Sequence, residues 1–438
     1  MPDPDVTRRR WELLVVGAGT AGLLAASLGA RVLLVDRGTW GGECLWTGCV
    51  PSKALIATGE AAAAARAAAG FGVQVDGIRV DGAAVLASVR AAVREIEPVD
   101  SPEAQRAAGV AVAEGQLVFT GPSSAVLDGR RVRFRQAVVA TGCELGKAMA
   151  RLGVRVDLVE TADRLLPAED PAASALVTAA LQADGVTVHL STQVQRVSGA
   201  PGDTRVTLAD GGDLRCDGLL VTTGRRAAGD GLGLDAASVQ RDDDGWVVVD
   251  AHLRTSNPRI WAAGDVTGQP QYTHLAGLHG STVAANAVLG LRRRVDLTAL
   301  PRVTFTQPEV AAVGAPTGTA EQAGLRVLEQ GHQHSDRAIT DRRTDGVTRL
   351  AVDARHRVRG ATVVGPRAGE TLAELTLAVT QGLTTSDLTA STHPYPTHAD
   401  QVWQAAISDY RGRLAAPVPR RAIAALRPLH RLRTALTR

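Results

Sequence analysis

The uninterrupted apolar run Leu13-Leu14-Val15-Val16 predicts a strand buried on both faces, and the segment from Arg31 to Asp36 predicts its parallel neighbour, ending in an acid. Between them, Gly17-Ala18-Gly19-Thr20-Ala21-Gly22 reads as a tight turn into a short helix. Alanine-rich and helically spaced apolar positions predict helices from Ala54 to Ala69 and from Val85 to Ile96. Short runs then predict strands from Val110 to Ala113, Gln116 to Phe119, Ala125 to Leu127 and Arg131 to Phe134, with another over Gln136 to Gly142. A second half of the same kind follows: helix Ala148 to Leu152, strand Arg155 to Glu160, helix Pro171 to Ala183, strands Thr187 to Leu190 and Thr204 to Leu208, and a closing apolar segment, Leu219 to Arg226. Pro258 to Asp265 has the form of a strand delivering an aspartate at its carboxyl end, where α/β sheets bind ligands, and a helix is predicted from Thr282 to Leu289. Past Pro301 the pattern shifts to alternating strands (Val303 to Phe305, Val347 to Val352, Gly360 to Val364) and helices at Gly369 to Gln381 and Ala399 to Tyr410. The expected fold class is α/β: two Rossmann-like nucleotide-binding domains, the second truncated, plus a C-terminal α+β domain.

Composition changes this picture little. The 438 residues are 45% hydrophobic with 46 glycines, which suits several α/β domains, and aromatics are only 3%, so aliphatic and alanine packing must carry the core. A net charge of +3, from mixed basic and acidic residues, gives no nucleic-acid footprint. The end of the chain differs. From Arg411 to Arg438 there are many arginines and no acids; this reads as a solvated tail, with a basic amphipathic helix through Arg420 to Arg427 in contact with an anionic surface as the alternative. Met-Pro-Asp-Pro-Asp at the start carries no export signal, so the cytoplasm is the expected compartment. The charge-free stretch from Leu13 to Ala30 is long enough for a membrane span, but its glycines fit strand, turn and helix better.

The candidate chemistry lies in Gly41-Gly42-Glu43-Cys44-Leu45-Trp46-Thr47-Gly48-Cys49-Val50-Pro51-Ser52-Lys53. Two cysteines separated by four residues, just after a dinucleotide-binding turn, point to a dithiol facing a flavin. A helix beginning near Val50-Pro51 stabilises a Cys49 thiolate at its positive end. No second ligand pair supports a metal site, and no metal is expected. In the glycine turn, Gly17 permits the bend, Gly19 admits a pyrophosphate, Gly22 lets helix pack on strand, and Asp36 is placed to hold ribose hydroxyls. Cys143 and Cys216 read as buried thiols, and His332 and His334 as surface residues on one face of a strand.

Gly-Ala-Gly-Thr-Ala-Gly, the Cys44/Cys49 segment with Val-Pro-Ser-Lys, Ala-Ala-Gly-Asp at 262–265 and His393-Pro394-Tyr395-Pro396-Thr397 occur together and in order. With these motifs the chain resembles the FAD-dependent pyridine nucleotide–disulfide oxidoreductases, over roughly residues 11 to 412, in wording most like their mercuric-reductase-like branch. The resemblance implies that NAD(P)H reduces FAD, that FAD reduces a Cys44–Cys49 disulfide, and that the dithiol reduces a small acceptor, thiophilic or quinone-like. It implies Cys49 next to the flavin, Cys44 exchanging with substrate, Lys53 near the flavin N5 paired with Glu144, and Asp265 on the ribityl chain. The implied cofactor-binding set is Gly17, Gly19, Thr20, Ala21, Gly22, Asp36, Arg37, Gly42, Lys53, Thr141, Gly142, Glu160, Gly224, Gly264 and Asp265. It further implies a homodimer whose active site is completed by the other subunit's C-terminal domain. The implied organisation is FAD-binding segments at 1–142 and 225–300, a truncated NAD(P)-binding domain at 143–224, an interface domain at 301–412 and a basic tail at 413–438.

Two departures from the family pattern stand out. Its acid–base histidine and following glutamate are here Tyr395 and Asp400, and an unperturbed phenol is a poor base at neutral pH. His393 and His398 lie at other spacings and read as ordinary polar residues. The tail lacks the cysteine pair that mercuric reductase uses to hand over metal, so Hg(II) is not the expected substrate. Second, Ala140-Thr141-Gly142 runs straight into Cys143-Glu144-Leu145-Gly146, so the NAD(P)-domain strand and glycine turn that stand between these motifs in the family are absent. Glu160 still ends the next strand and favours NADH, with Arg164 and Arg151 close enough in sequence to oppose it. The alternative reading is a flavin-binding redox sensor, or an impaired relic, that cannot take hydride from NAD(P)H.

Overall fold

The computed structural model describes residues 10–20, 31–38, 40–121, 124–134, 137–138, 151–152, 154–200, 203–217, 219–221, 227, 229 and 231–436. The chain divides into two units, residues 1–154 with 220–296 and residues 155–219 with 297–438.

In the first unit the N-terminal elements are β1 (Arg10–Trp11), β2 (Leu13–Val16), β3 (Val32–Asp36), α1 (Gly42–Trp46), α2 (Cys49–Ala67), α3 (Gly82–Asp100) and α4 (Pro102–Ala107). Five further strands follow: β4 (Ala111–Glu114), β5 (Leu117–Gly121), β6 (Ser124–Leu127), β7 (Arg130–Phe134) and β8 (Ala137–Val138). The central sheet is parallel, in the order β4-β3-β2-β8, with Leu13 opposite Val32 and Leu33 opposite Ala111. Every residue of β2 is buried because alternate side chains feed two cores. Leu14, Val16, Leu33 and Val35 pack with Trp11, Phe119 and Ile260, whereas Leu13, Val15, Val32 and Leu34 pack with Trp40, Trp261 and Val283. A second sheet, β1-β7-β6-β5, completes this part.

The segment from Pro258 to Asp265 is not a strand. Its backbone bonds go to local turns, Ile260 N–H to Asn257 and Ala262 N–H to Leu253, leaving one isolated bridge between Arg254 and Trp261. The following helix begins at Thr273, not Thr282, and runs to Leu289.

In the second unit the strands Asp157–Val159 and Thr187–His189 form a two-stranded parallel pair joined through the helix Pro171–Ala183. The exposed antiparallel meander Val194–Ala200, Asp203–Leu208, Asp213–Cys216 comes next. A five-stranded antiparallel sheet, ordered Arg302–Thr304, Glu309–Gly314, Val358–Gly365, Val347–Val352, Arg326–Gly331, carries the helices Ala368–Gln381 and Asp400–Ala415. This is the mixed α/β architecture that the pattern predicts. His332 corrects an expectation: it lies in a short 3-10 turn, not a strand, and is buried with Nε2 bonded to Thr348. Among the described residues no helix is long and apolar enough to cross a membrane. The last helix runs from Pro417 to Leu436.

Candidate active site

Cys49 is the first residue of α2, one position earlier than expected, and Pro51 is tolerated in the first turn because its missing N–H has no helical partner there. Cys44 sits in the short preceding helix α1. The chain can fold back this closely because Gly41 and Gly42 both have positive φ, and a Cβ on Gly42 would lie 2.9 Å from the Cα of Gly19. The second glycine is therefore required for backbone contact with the nucleotide turn.

Thr273, at the start of its helix, places Oγ1 3.1 Å from Cys49 Sγ and 3.7 Å from Cys44 Sγ. The two thiols bond to each other, and their acidities diverge. A hydrogen bond from Cys44 is the largest influence holding Cys49 down to about 6 from 9.0; Thr273 and the Lys53 ammonium, one turn along α2, lower it further against the opposing effect of burial. Cys44 is pushed well up, first by donating that bond and then by burial. The pair is thus one thiolate, Cys49, solvated by one thiol and one hydroxyl. Removing the hydroxyl in Thr273→Val is expected to raise the Cys49 pKa by on the order of one unit. The rate of iodoacetamide alkylation against pH checks this, and an unchanged profile would remove Thr273 from the site.

The nucleotide turn suits FAD. Gly17 has φ +99°, and open space lies in front of both Gly17 and Gly19, a cradle that side chains would fill. Asp36 accepts N–H bonds from Ala18 (2.8 Å) and Gly38 (3.0 Å), so it holds the turn's own shape. Arg37 is exposed beside it, and Thr20 is half-buried at the turn's exit. Asp265 is buried in the 3-10 turn Gly264–Thr267, whose Gly264 has φ +74° and donates its N–H to His279 Nδ1 at 3.0 Å. His279 is 0% exposed, and burial lowers its pKa to about 4; the ring is neutral with its proton on Nε2, and it locks the turn that presents Asp265. Sequence reading missed both Thr273 and His279, which are remote from the cysteines in the chain.

Ala21, Gly22, Thr141, Gly142, Glu144 and Gly224 lie outside the described residues, as does Cys143. Cys216 is partly exposed, not buried. Glu160 follows Asp157–Val159, and its carboxylate accepts from Ala162 N–H and Thr161 Oγ1. In the second unit Tyr395 is 68% exposed and donates its hydroxyl to Asp336, not to Asp400, which begins a helix nearby. That carboxylate raises the phenol pKa, so Tyr395 remains a hydrogen-bond donor at neutral pH. His393 instead pairs with Glu374 at 2.8 Å, and His398 with Asp341 at 3.1 Å.

A parallel nucleotide-binding sheet whose glycine turn abuts a reactive dithiol defines a flavin-linked thiol oxidoreductase. Comparison with known proteins agrees. The pyridine nucleotide-disulphide oxidoreductase profile matches residues 11–143 and 140–280, and the dimerisation domain of that family matches residues 300–406. The chain is 35% identical to a mercuric reductase of Streptomyces lividans, over 90% of this chain and 95% of that one. It is 32% identical to a dihydrolipoyl dehydrogenase of Thermus scotoductus, over 91% and 97%. Among solved structures, LpdA of Mycobacterium tuberculosis superposes with a TM-score of 0.82 at 22% identity, covering 92% of this chain and all of that one. The chain belongs to the pyridine nucleotide-disulphide oxidoreductase family. It is an NAD(P)H-dependent flavin disulfide oxidoreductase with FAD as cofactor, and it forms homodimers. The two profile segments meet at 140–143, and the Streptomyces alignment spans 456 positions, more than the chain has residues, so the relative carries stretches that this chain lacks.

Proposed function

We propose that this protein uses a Cys44–Cys49 pair to pass electrons from NAD(P)H, by way of FAD, to a small thiophilic or quinone-like acceptor. The observation that carries the reading is the Cys49 thiolate at the head of α2, held by Cys44, Thr273 and Lys53. FAD, when bound, accepts hydride equivalents and delivers two electrons to a disulfide. Gly17, Gly19 and Gly42 would hold its pyrophosphate side and Asp265 its sugar-alcohol chain.

The reduced pair then stands as Cys44 thiol and Cys49 thiolate. Closing the disulfide releases two electrons and the Cys44 proton. A disulfide acceptor leaves as two thiols, one protonated by Cys44 and one by water; a quinone leaves as hydroquinone, again taking one proton from each. Tyr395, kept protonated by Asp336, can donate a hydrogen bond but cannot serve as a base at neutral pH, which favours acceptors that need no histidine. Glu160, directly after its strand, favours NADH over NADPH.

Anaerobic addition of NADH, then NADPH, to the purified flavoprotein is the test. The expected result is bleaching of the flavin, faster with NADH, and long-wavelength absorbance from the Cys49 thiolate against the ring. Reduction by dithionite but by neither nucleotide would establish the sensor-or-relic reading instead.

A further inference from the structure

We propose that the C-terminal helix Pro417–Leu436 lies on anionic lipid surfaces. Its half-buried positions, Pro419 and Ile423, follow Ala416 on one side, and the helix rests against Asp400–Ala415. A different face is apolar and open: Val418 is 77% and Leu426 61% exposed, with Ala422 and Ala425 exposed between them. In the sequence, leucine recurs after Leu426 at 429, 432 and 436, at intervals of three or four. Arg420 and Arg421 are exposed off this stripe, and no acid occurs after Asp409 while arginine recurs at 411, 413, 420, 421, 427, 431, 433 and 438. An apolar stripe beside an acid-free basic face matches a negatively charged bilayer in both respects: the stripe enters the acyl boundary and the guanidiniums meet phosphates. The helix cannot span, since it is neither apolar nor uncharged over the needed length.

Co-sedimentation of the full-length holoprotein with phosphatidylglycerol–phosphatidylcholine vesicles, against pure phosphatidylcholine, tests this. Binding to the anionic vesicles alone is expected, weakened by salt. Arg420→Gln with Arg421→Gln should weaken it about thirtyfold, at ~1 kcal/mol for each charge near the surface. Val418→Asp with Leu426→Asp should abolish it while NADH oxidation stays unchanged. Equal binding to both vesicle types, or none to either, overturns the proposal. So does duplex DNA binding without vesicle binding, or conversion of the aspartate variant to a monomer, which would assign the stripe to a second copy of the chain.

Discussion

Cys49→Ser is expected to leave FAD bound but to lower acceptor turnover by at least about a thousandfold, because no second sulfur remains to close the disulfide. The same variant should lack the long-wavelength absorbance. Cys44→Ser should be equally inactive yet keep that absorbance, since Thr273 and Lys53 still hold the Cys49 thiolate. With Cys44 gone, the largest influence lowering Cys49 is weakened, so the titration of the absorbance should move upward. In the wild-type protein the folded-state pKa of Cys49 is depressed, so its thiolate is retained on acidification until the pH falls through about 6. Spectra of both variants across pH 5 to 9 check these expectations. Absorbance kept in Cys49→Ser and lost in Cys44→Ser would reverse the two roles.

Asp170→Ala is expected to destabilise the second unit by about 3 kcal/mol, within the cost of breaking a buried pair by removing one partner. The carboxylate of Asp170 is 1% exposed and caps the helix Pro171–Ala183 through Ala172 N–H at 2.8 Å. It also accepts from Arg349 Nη1 at 2.8 Å and from Thr317 Oγ1 at 2.6 Å. Because the Thr317 proton goes to Asp170, the bond between Thr317 and Thr362 must be donated by Thr362. Removing the carboxylate therefore takes the acceptor from the Thr317 hydroxyl and leaves the Arg349 guanidinium with Glu329 alone. Urea unfolding of the holoprotein at fixed concentration measures the loss, and a change below 1 kcal/mol would show that solvent replaces the network.

What the sequence made legible was local. The run 13–16 and the cysteine spacing each carry their geometry within a few residues: the run is a strand buried on both faces, and the two cysteines come together at the head of a helix. The helix Pro171–Ala183 was legible to the residue, since Asp-Pro marks its start. The partners of those groups were not legible. Thr273 lies 224 positions from Cys49, and Gly277 and Gly280 break the apolar pattern of its helix, which displaces the expected start to Thr282. The strand Val194–Ala200 is exposed along its whole length, so no alternation announces it. His332 was expected at the surface because a histidine's own position gives no sign that Thr348, in the strand Val347–Val352, will bond it in the core.

The bonds from Asp170 to Arg349 and from Glu169 to Arg302 fasten the start of one helix onto the antiparallel sheet. The small parallel pair that this helix joins is thereby braced from outside, by a neighbouring sheet of the other kind.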